Sequence, residues 1–282
     1  MKFFRKGGIA LTAVFACTLL LGGCGKTATP APAPSPSPSP GAATPAAGAG
    51  TLDAIKSAGK IRIGTEGTYA PFTFHDKSGK LTGFDVELAE EVAKRLGVQA
   101  EFQETNWNGM LAGLDAKRFD LVANEVSIRE DRKEKYDFSD PYIISKAVLI
   151  VREDNKDITK LADLKGKKSG QSLTSNLADI AKKNGAEIVA IEGFNQAIEL
   201  LISKRIDATI NDNLSYLDFK KQKPDAPIKV VAETTEASQS AFLFNKNNND
   251  LAKAVNEALA SMKKDGTYLS ISNKWFGTDV SK

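Results

Sequence analysis

The chain has 282 residues, with 38 Lys+Arg against 35 Asp+Glu, one His and two Cys. A formal charge of +3 is too slight for a nucleic-acid-binding surface, which carries a clustered basic excess. The cysteines stand at positions 17 and 24, so the remainder holds no thiol and no disulfide. A domain of the remaining length buries enough core to fold without one.

Residues 1–23 have the layout of a secretory leader. Lys2, Arg5 and Lys6 precede an apolar run that closes on small residues. At roughly 15 residues the run is shorter than the about 20 that a membrane span needs. "LGGC" at 21–24 resembles a bacterial lipobox, which implies cleavage before Cys24 and a lipid on its sulfur. An ordinary leader with an incidental Cys is the alternative. Removing the leader takes three basic residues and leaves the charges in balance, so the chain has no polybasic hold on a membrane surface. Residues 24–50 are rich in Pro, Ala, Ser and Gly and read as an extended tether, partly polyproline II.

The folded part begins near Leu52. "KIRIGTE" alternates as a strand, and "GTYAPFTFHDKSGKLTGF" reads as a loop and hairpin with Gly79 in its turn. "DVELAEEVAKRLG" is a helix with Leu88, Val92 and Leu96 on one face. Its wet side carries the pairs Glu90–Lys94 and Glu91–Arg95, and Gly97 stands where a C-terminal cap belongs. "VQAEFQET" is a strand, a helix–turn–strand unit runs over 107–124, and "SKAVLIVR" is a further strand. A helix from about Ser175, the strand "AEIVAI" and a second helix–turn–strand unit follow. "IKVVAE" and "SAFLFN" are strands, and the helices "NDLAKAVNEALASMKKDG" and "TYLSISNKWF" end the pattern.

The two helix–turn–strand units match without a gap: "WNGMLAGLDAKRFDLVANE" against "FNQAIELLISKRIDATIND". Either such units simply look alike in α/β proteins, or the chain holds two similar lobes that end their strands toward a shared cleft. Alternating strands and helices imply parallel sheets with helices on both faces, and ligands bind beyond the carboxyl ends of such strands. Asn124-Glu125 and Asn211-Asp212 stand at those ends.

"GFDVELAEEVAKRL" resembles the signature of solute-binding family 3, the polar amino-acid receptors of ABC importers. "RIGTEGTYAPF", "DRKEKYDFSDPY" and "KDGTYLSISNKWFG" are similar to the same family, so the resemblance spans residues 52–282. It implies an α/β, two-lobe, periplasmic-binding-protein-like fold of type II, each lobe a sheet flanked by helices. Two hinge strands would cross near 146–152 and 238–244. Lobe 1 is then discontinuous, 51–148 with 242–282, and lobe 2 covers 149–241.

A free amino acid offers a carboxylate, an ammonium group and a side chain. Arg132 fits the carboxylate, since a guanidinium meets it with two parallel hydrogen bonds. Composition alone allows a solvated Arg in that charged run; the family motif favours Arg132 and leaves Arg129 outside the site. Ser127 and the backbone N–H groups of 125–127 add donors. Asp212 fits the ammonium group, with a helix-capping Asp as the alternative. The family places aromatics at Tyr69 and Trp107, where they enclose ligand; Trp107 as a core residue is the alternative, and Phe194 reads as core. Glu66 matches a position that is often acidic in the family. Thr174, Ser175 and Asn176 open a helix whose N–H groups suit an anionic oxygen, or simply cap it.

Family members for basic amino acids carry Ser-Ser where this chain has Asn124 and Glu125. "VANEVSI", "QSLTSN", "EGFNQAIELL" and "TINDNLSYLDF" look closer to the cystine and cysteine receptors, and Glu125 or Glu66 would meet cystine's second ammonium. The resemblance implies an extracytoplasmic, monomeric receptor, lipid-anchored to the bacterial cell membrane through Cys24. It would deliver a free amino acid, cystine first, to an ABC permease. No GxxxxGK[ST] occurs, so the ATPase lies on another chain. No cofactor, metal, nucleic acid or catalysis is expected. Arginine or glutamine as ligand, a dehydratase on the same fold, and a sensor remain alternatives. His75, in the hairpin, reads as solvated.

Overall fold

The described chain runs α1 (Thr51–Ala58), β1 (Lys60–Thr65), a small flap of β2 (Thr68–Tyr69), β3 (Thr73–His75) and β4 (Leu81–Thr82), then α2 (Phe84–Leu96) and β5 (Gln99–Glu104). Next come α3 (Trp107–Asp115), β6 (Leu121–Ser127), the short α4 (Glu130–Lys133), β7 (Tyr136–Phe138) and β8 (Ile143–Ser145). β9 (Ala147–Arg152), β10 (Lys168–Gln171), α5 (Asn176–Lys183), β11 (Glu187–Ala190), α6 (Phe194–Ile202), β12 (Ala208–Asp212), α7 (Asn213–Gln222) and β13 (Ile228–Glu233) follow. β14 (Ser238–Asn245), α8 (Asn249–Asp265) and α9 (Thr267–Phe276) complete it. This computed structural model describes residues 51–282, which fall within one unit, Pro45–Lys282. The leader, Cys24 and the tether expected before Thr51 lie outside the described residues.

Two sheets organise the molecule. One has the order β5-β1-β6-β14-β7, with β8 also on β14; the other is β11-β10-β12-β9-β13. In each, three strands are parallel, and the fourth is antiparallel to them because it arrives from the other lobe. The sheets are therefore mixed, and the expectation of parallel strands holds only for the βαβαβ half of each lobe. All of β9 pairs in the second sheet and all of β14 in the first, so lobe boundaries expected at 149 and 242 fall inside these strands.

Both crossing strands are apolar on both faces. Leu149 and Val151 of β9 join Leu164 and Ile210, while Val148 and Ile150 join Phe194, Ile198 and Phe219. In β14, Phe242 and Phe244 face one cluster and Leu243 another. Burial on both faces is what a continuous apolar run such as "AVLIV" requires.

The helix of the family signature forms for legible reasons. Phe84, Leu88 and Val92 are buried at i, i+4 spacing, and Gly97 closes the helix in the left-handed conformation at φ 77°. Gly83 precedes it at φ 134°, where an added Cβ would stand 2.1 Å from the Phe72 carbonyl oxygen, so only glycine fits. On the wet face Glu91 takes both cations, Arg95 at 2.9 Å and Lys94 at 3.0 Å, in place of a Glu90–Lys94 pair. α1, α4 and α7 carry no apolar stripe: α1 buries only Ile55, α4 only Arg132, and α7 only Ser215 and Phe219. No helix among the described residues is long and apolar enough to cross a membrane.

The repeated sequence folds twice into one backbone design. Lys117 and Lys204 both adopt positive φ, 56° and 60°, in the turn after the helix. Asp120 and Asp207 then each accept a neighbouring strand's N–H, from Arg62 at 2.9 Å and Lys168 at 2.8 Å. The copies diverge at their ends. Glu125 turns to φ 50° and the strand continues, whereas Asp212 ends its strand and caps α7.

Candidate functional site

The carboxyl ends of β1, β6, β10 and β12 converge on a cavity of about 70 Å³ between the lobes. Glu66, Tyr69, Trp107, Asn124 and Glu125 line it from one lobe; Gln171, Ser172, Ser175, Asn176 and Asn211 line it from the other. Of the residues named from sequence, Ser127, Arg132, Thr174 and Asp212 stand behind these walls.

Glu66 and Asn124 hold each other. The Asn124 amide donates to the Glu66 carboxylate at 2.7 Å, and the Glu66 N–H donates back to Asn124 Oδ1 at 2.8 Å. Burial raises the Glu66 carboxyl to about 7 despite that amide. Trp107 begins α3, with Asn106 capping the helix through Gly109 N–H at 2.9 Å. Its indole N–H is buried with no acceptor, an uncommon state for a buried donor.

Arg132 lies behind Trp107 in a second cavity, shared with Arg129, Lys135, Thr174 and Asp179. Its guanidinium donates to the Ser127 carbonyl at 3.0 Å and, across the lobes, to the Thr174 carbonyl at 3.4 Å. Burial, aided by the Arg129 charge, lowers it to about 10, so it stays cationic at neutral pH. Ser127 thus holds Arg132 through its carbonyl. Thr174 also reaches Asn108 at 3.4 Å, and Ser175 caps α5 by accepting from Ala178 N–H at 3.1 Å. Arg129, which the motif leaves outside, joins the lobes instead: it is bidentate on Asp131 and donates to Asp179 at 2.7 Å.

Asp212 caps α7. It accepts from Leu214 N–H at 2.8 Å and from the Ser145 hydroxyl, and it is buried. Glu125 stands opposite, its oxygens taken by Ser240 at 3.0 Å and Tyr69 at 3.1 Å. Burial, then the charges of Asp212 and Asp85, push the Glu125 carboxyl well above the usual range. Asp85 is fully buried below it, accepting from Glu125 N–H at 2.5 Å and Tyr142 at 2.9 Å. His75 pairs with Glu104 at 3.2 Å on the flap.

Gln171 is a wall residue that sequence reasoning passed over, and Asn211, which it sets at a strand end facing the cleft, carries no ligand role in that reading. The repeat held the signal for Asn211, which occupies the place of Asn124 in the second copy. Phe194 belongs both to the core, edge-on to Phe219, and to the cavity wall.

A family model described as bacterial extracellular solute-binding proteins, family 3, matches residues 61–278. The chain is 50% identical over 229 residues to the L-cystine-binding protein TcyA of Bacillus subtilis, covering 81% of this chain and 85% of TcyA. An ancestral arginine-binding protein bound to arginine superposes with a TM-score of 0.73 at 40% identity, covering 77% of this chain and 98% of the other. The L-cystine solute receptor of Neisseria gonorrhoeae in its unliganded open conformation gives 0.56 at 44% identity, covering 83% and 100%.

Proposed function

The chain belongs to the bacterial extracellular solute-binding proteins, family 3, and from that premise we propose that it is the receptor of an ABC importer for a free amino acid, L-cystine first. The observation that carries this reading is the cavity at the strand ends of both lobes, with carboxylates and a buried guanidinium close by. The identity to an L-cystine-binding protein supports cystine over arginine or glutamine.

In this reading the ligand carboxylate meets Arg132, whose planar fork retains donors beyond the two carbonyl bonds. The Trp107 ring and its free indole N–H form part of the enclosure. Glu66, held on the wall by the Asn124 amide, takes an ammonium group. Asp212 shapes the far wall through α7. Cystine's second zwitterionic end finds Gln171, Ser172 and the first turn of α5.

Capture proceeds by lobe closure, favoured because ligand contacts both lobes at once. Cross-lobe bonds from Tyr69 to Asn211, Arg132 to Thr174, Arg129 to Asp179 and Ser215 to Ala70 fit a closed arrangement. So does the weaker superposition on an open receptor than on an arginine-bound one, at similar identity. The receptor is read as a binding protein without catalysis, monomeric, held to the membrane through lipid on Cys24, and serving a permease with its cytoplasmic ATPase.

A thermal-shift panel of L-cystine, L-cysteine, L-arginine and L-glutamine tests it. Ligand that binds only the folded state raises the melting temperature with concentration. The largest rise is expected with L-cystine, and no rise with any member would overturn the reading.

A further inference from the structure

Three oxygens stand in a row across the closed cleft. Glu125 Oε2 is 3.1 Å from Tyr69 Oη, which is 3.1 Å from Asn211 Oδ1. Two hydrogen bonds in that row need two protons, and the Tyr69 hydroxyl supplies one. Asn211 supplies none, because the Asp212 N–H bond at 2.7 Å fixes its oxygen, not its amide, on this side. Within that row Glu125 is the group left to carry a second proton.

Resting on the amino-acid receptor reading above, we propose that Glu125 is a neutral carboxylic acid in the closed cleft, and that lobe closure takes up its proton from solvent. Tyr69 and Glu125 belong to one lobe and Asn211 to the other. When the lobes part, the phenolic proton turns from Asn211 to Glu125, which then ionises. On closing, the phenol turns back to Asn211 and a solvent proton binds Glu125 Oε2, bridging to Tyr69 Oη. Glu125 is thus a positioning residue, acting on the cleft through Tyr69.

The surroundings favour the neutral acid. Asp85 of α2 and Asp212 of β12 are the carboxyl groups that bear on Glu125; Tyr142 holds Asp85, and Ser145 holds Asp212. Ser240 of β14 donates to Oε1, and Arg132 of α4 is the cation whose charge reaches it. Burial and then its two carboxyl neighbours raise its proton affinity, and burial raises Asp212 too, to about 6, against the pull of Ser145 and the Leu214 N–H. The Tyr69 hydroxyl is raised as well and keeps its proton.

The test is calorimetric titration of wild type and Glu125→Gln with L-cystine near pH about 7, where a free Glu is ionised, in buffers of different ionisation enthalpy. Wild type is expected to take up as much as one proton more per ligand than the variant. Its affinity should fall more steeply with rising pH, by up to about tenfold per unit. Equal proton uptake with parallel pH profiles would overturn the proposal. Should the variant not fold or not bind L-cystine, carboxyl carbon NMR of cystine-saturated wild type decides: an ionised Glu125 there rejects it. Wild type that gives no heat with L-cystine would instead remove the receptor reading, and this proposal with it.

Discussion

The Arg132 guanidinium sits over the Trp107 ring, 5.3 Å from its centroid, with Ser127 and Thr174 carbonyls on its edges. A cation so held cannot turn away to solvent. Arg132→Ala is expected to weaken amino-acid binding by about 2–5 kcal/mol, the usual loss on truncating one partner of a buried charged contact. Arg132→Lys should recover little of it, since an ammonium lacks the planar fork. Calorimetry on both variants checks this, and near-native affinity in Arg132→Ala would remove the assignment.

Asp212→Ala separates capping from ligand contact. Losing a helix N-cap costs about 0.5–2 kcal/mol of stability, and here the Ser145 hydroxyl also loses its acceptor. A urea midpoint that drops by that amount is the expected result. Unchanged stability with abolished binding would return Asp212 to a direct ammonium role.

Asp85 makes stability depend on pH. Burial lifts its carboxyl to about 7 against the pull of the Glu125 N–H and Tyr142 bonds, whereas an unfolded Asp titrates near ~3.9. Between those values the folded chain holds a proton that the unfolded chain has shed. Stability is therefore full at low pH and declines as pH rises through about 7, by up to about 1.4 kcal/mol per unit for each such group. Glu66, also raised to about 7 by burial, acts with the same sign. Urea midpoints measured from pH about 5 to about 8 should fall, and more gently in Asp85→Asn. Parallel profiles in wild type and variant would show that Asp85 is not the group responsible.

The Arg129–Asp179 pair joins the two lobes at 2.7 Å while both side chains remain partly in water. Such pairs are worth about 0.2–1 kcal/mol and are screened by salt. Asp179→Asn should speed ligand release by a factor of up to about five at low ionic strength and leave it unaltered at high salt. Stopped-flow dissociation checks both arms; a salt-independent effect would contradict a charge latch.

Cys24→Ser tests the anchor. A lipid adds ~0.8 kcal/mol of membrane affinity per buried methylene, and the balanced charge after the leader offers no substitute. The variant is expected in the medium or soluble fraction, and wild type in the membrane fraction after cell breakage. Wild type that fractionates as soluble would defeat the lipid reading.

Much of this architecture is written in local patterns. The α2 stripe, the Gly97 cap, the crossing strands and the doubled helix–turn–strand units follow from apolar spacing and from glycines or turn residues at fixed offsets. These depend on neighbours a few positions away, so a linear reading reaches them. α7 escaped that reading because Asp212 starts it and Phe219 is its one buried apolar side chain. Which carboxylates are charged, and which face a ligand, was decided by groups far apart in sequence. Asp85, Glu125 and Asp212 come from three separate elements, and their proton affinities depend on mutual distance and on exclusion of water. Sequence alone determined that two matched strand ends would carry Asn and an acid. Only the tertiary structure turned one of those acids into a helix cap and set the other against a tyrosine of its own lobe that reaches across the cleft to Asn211.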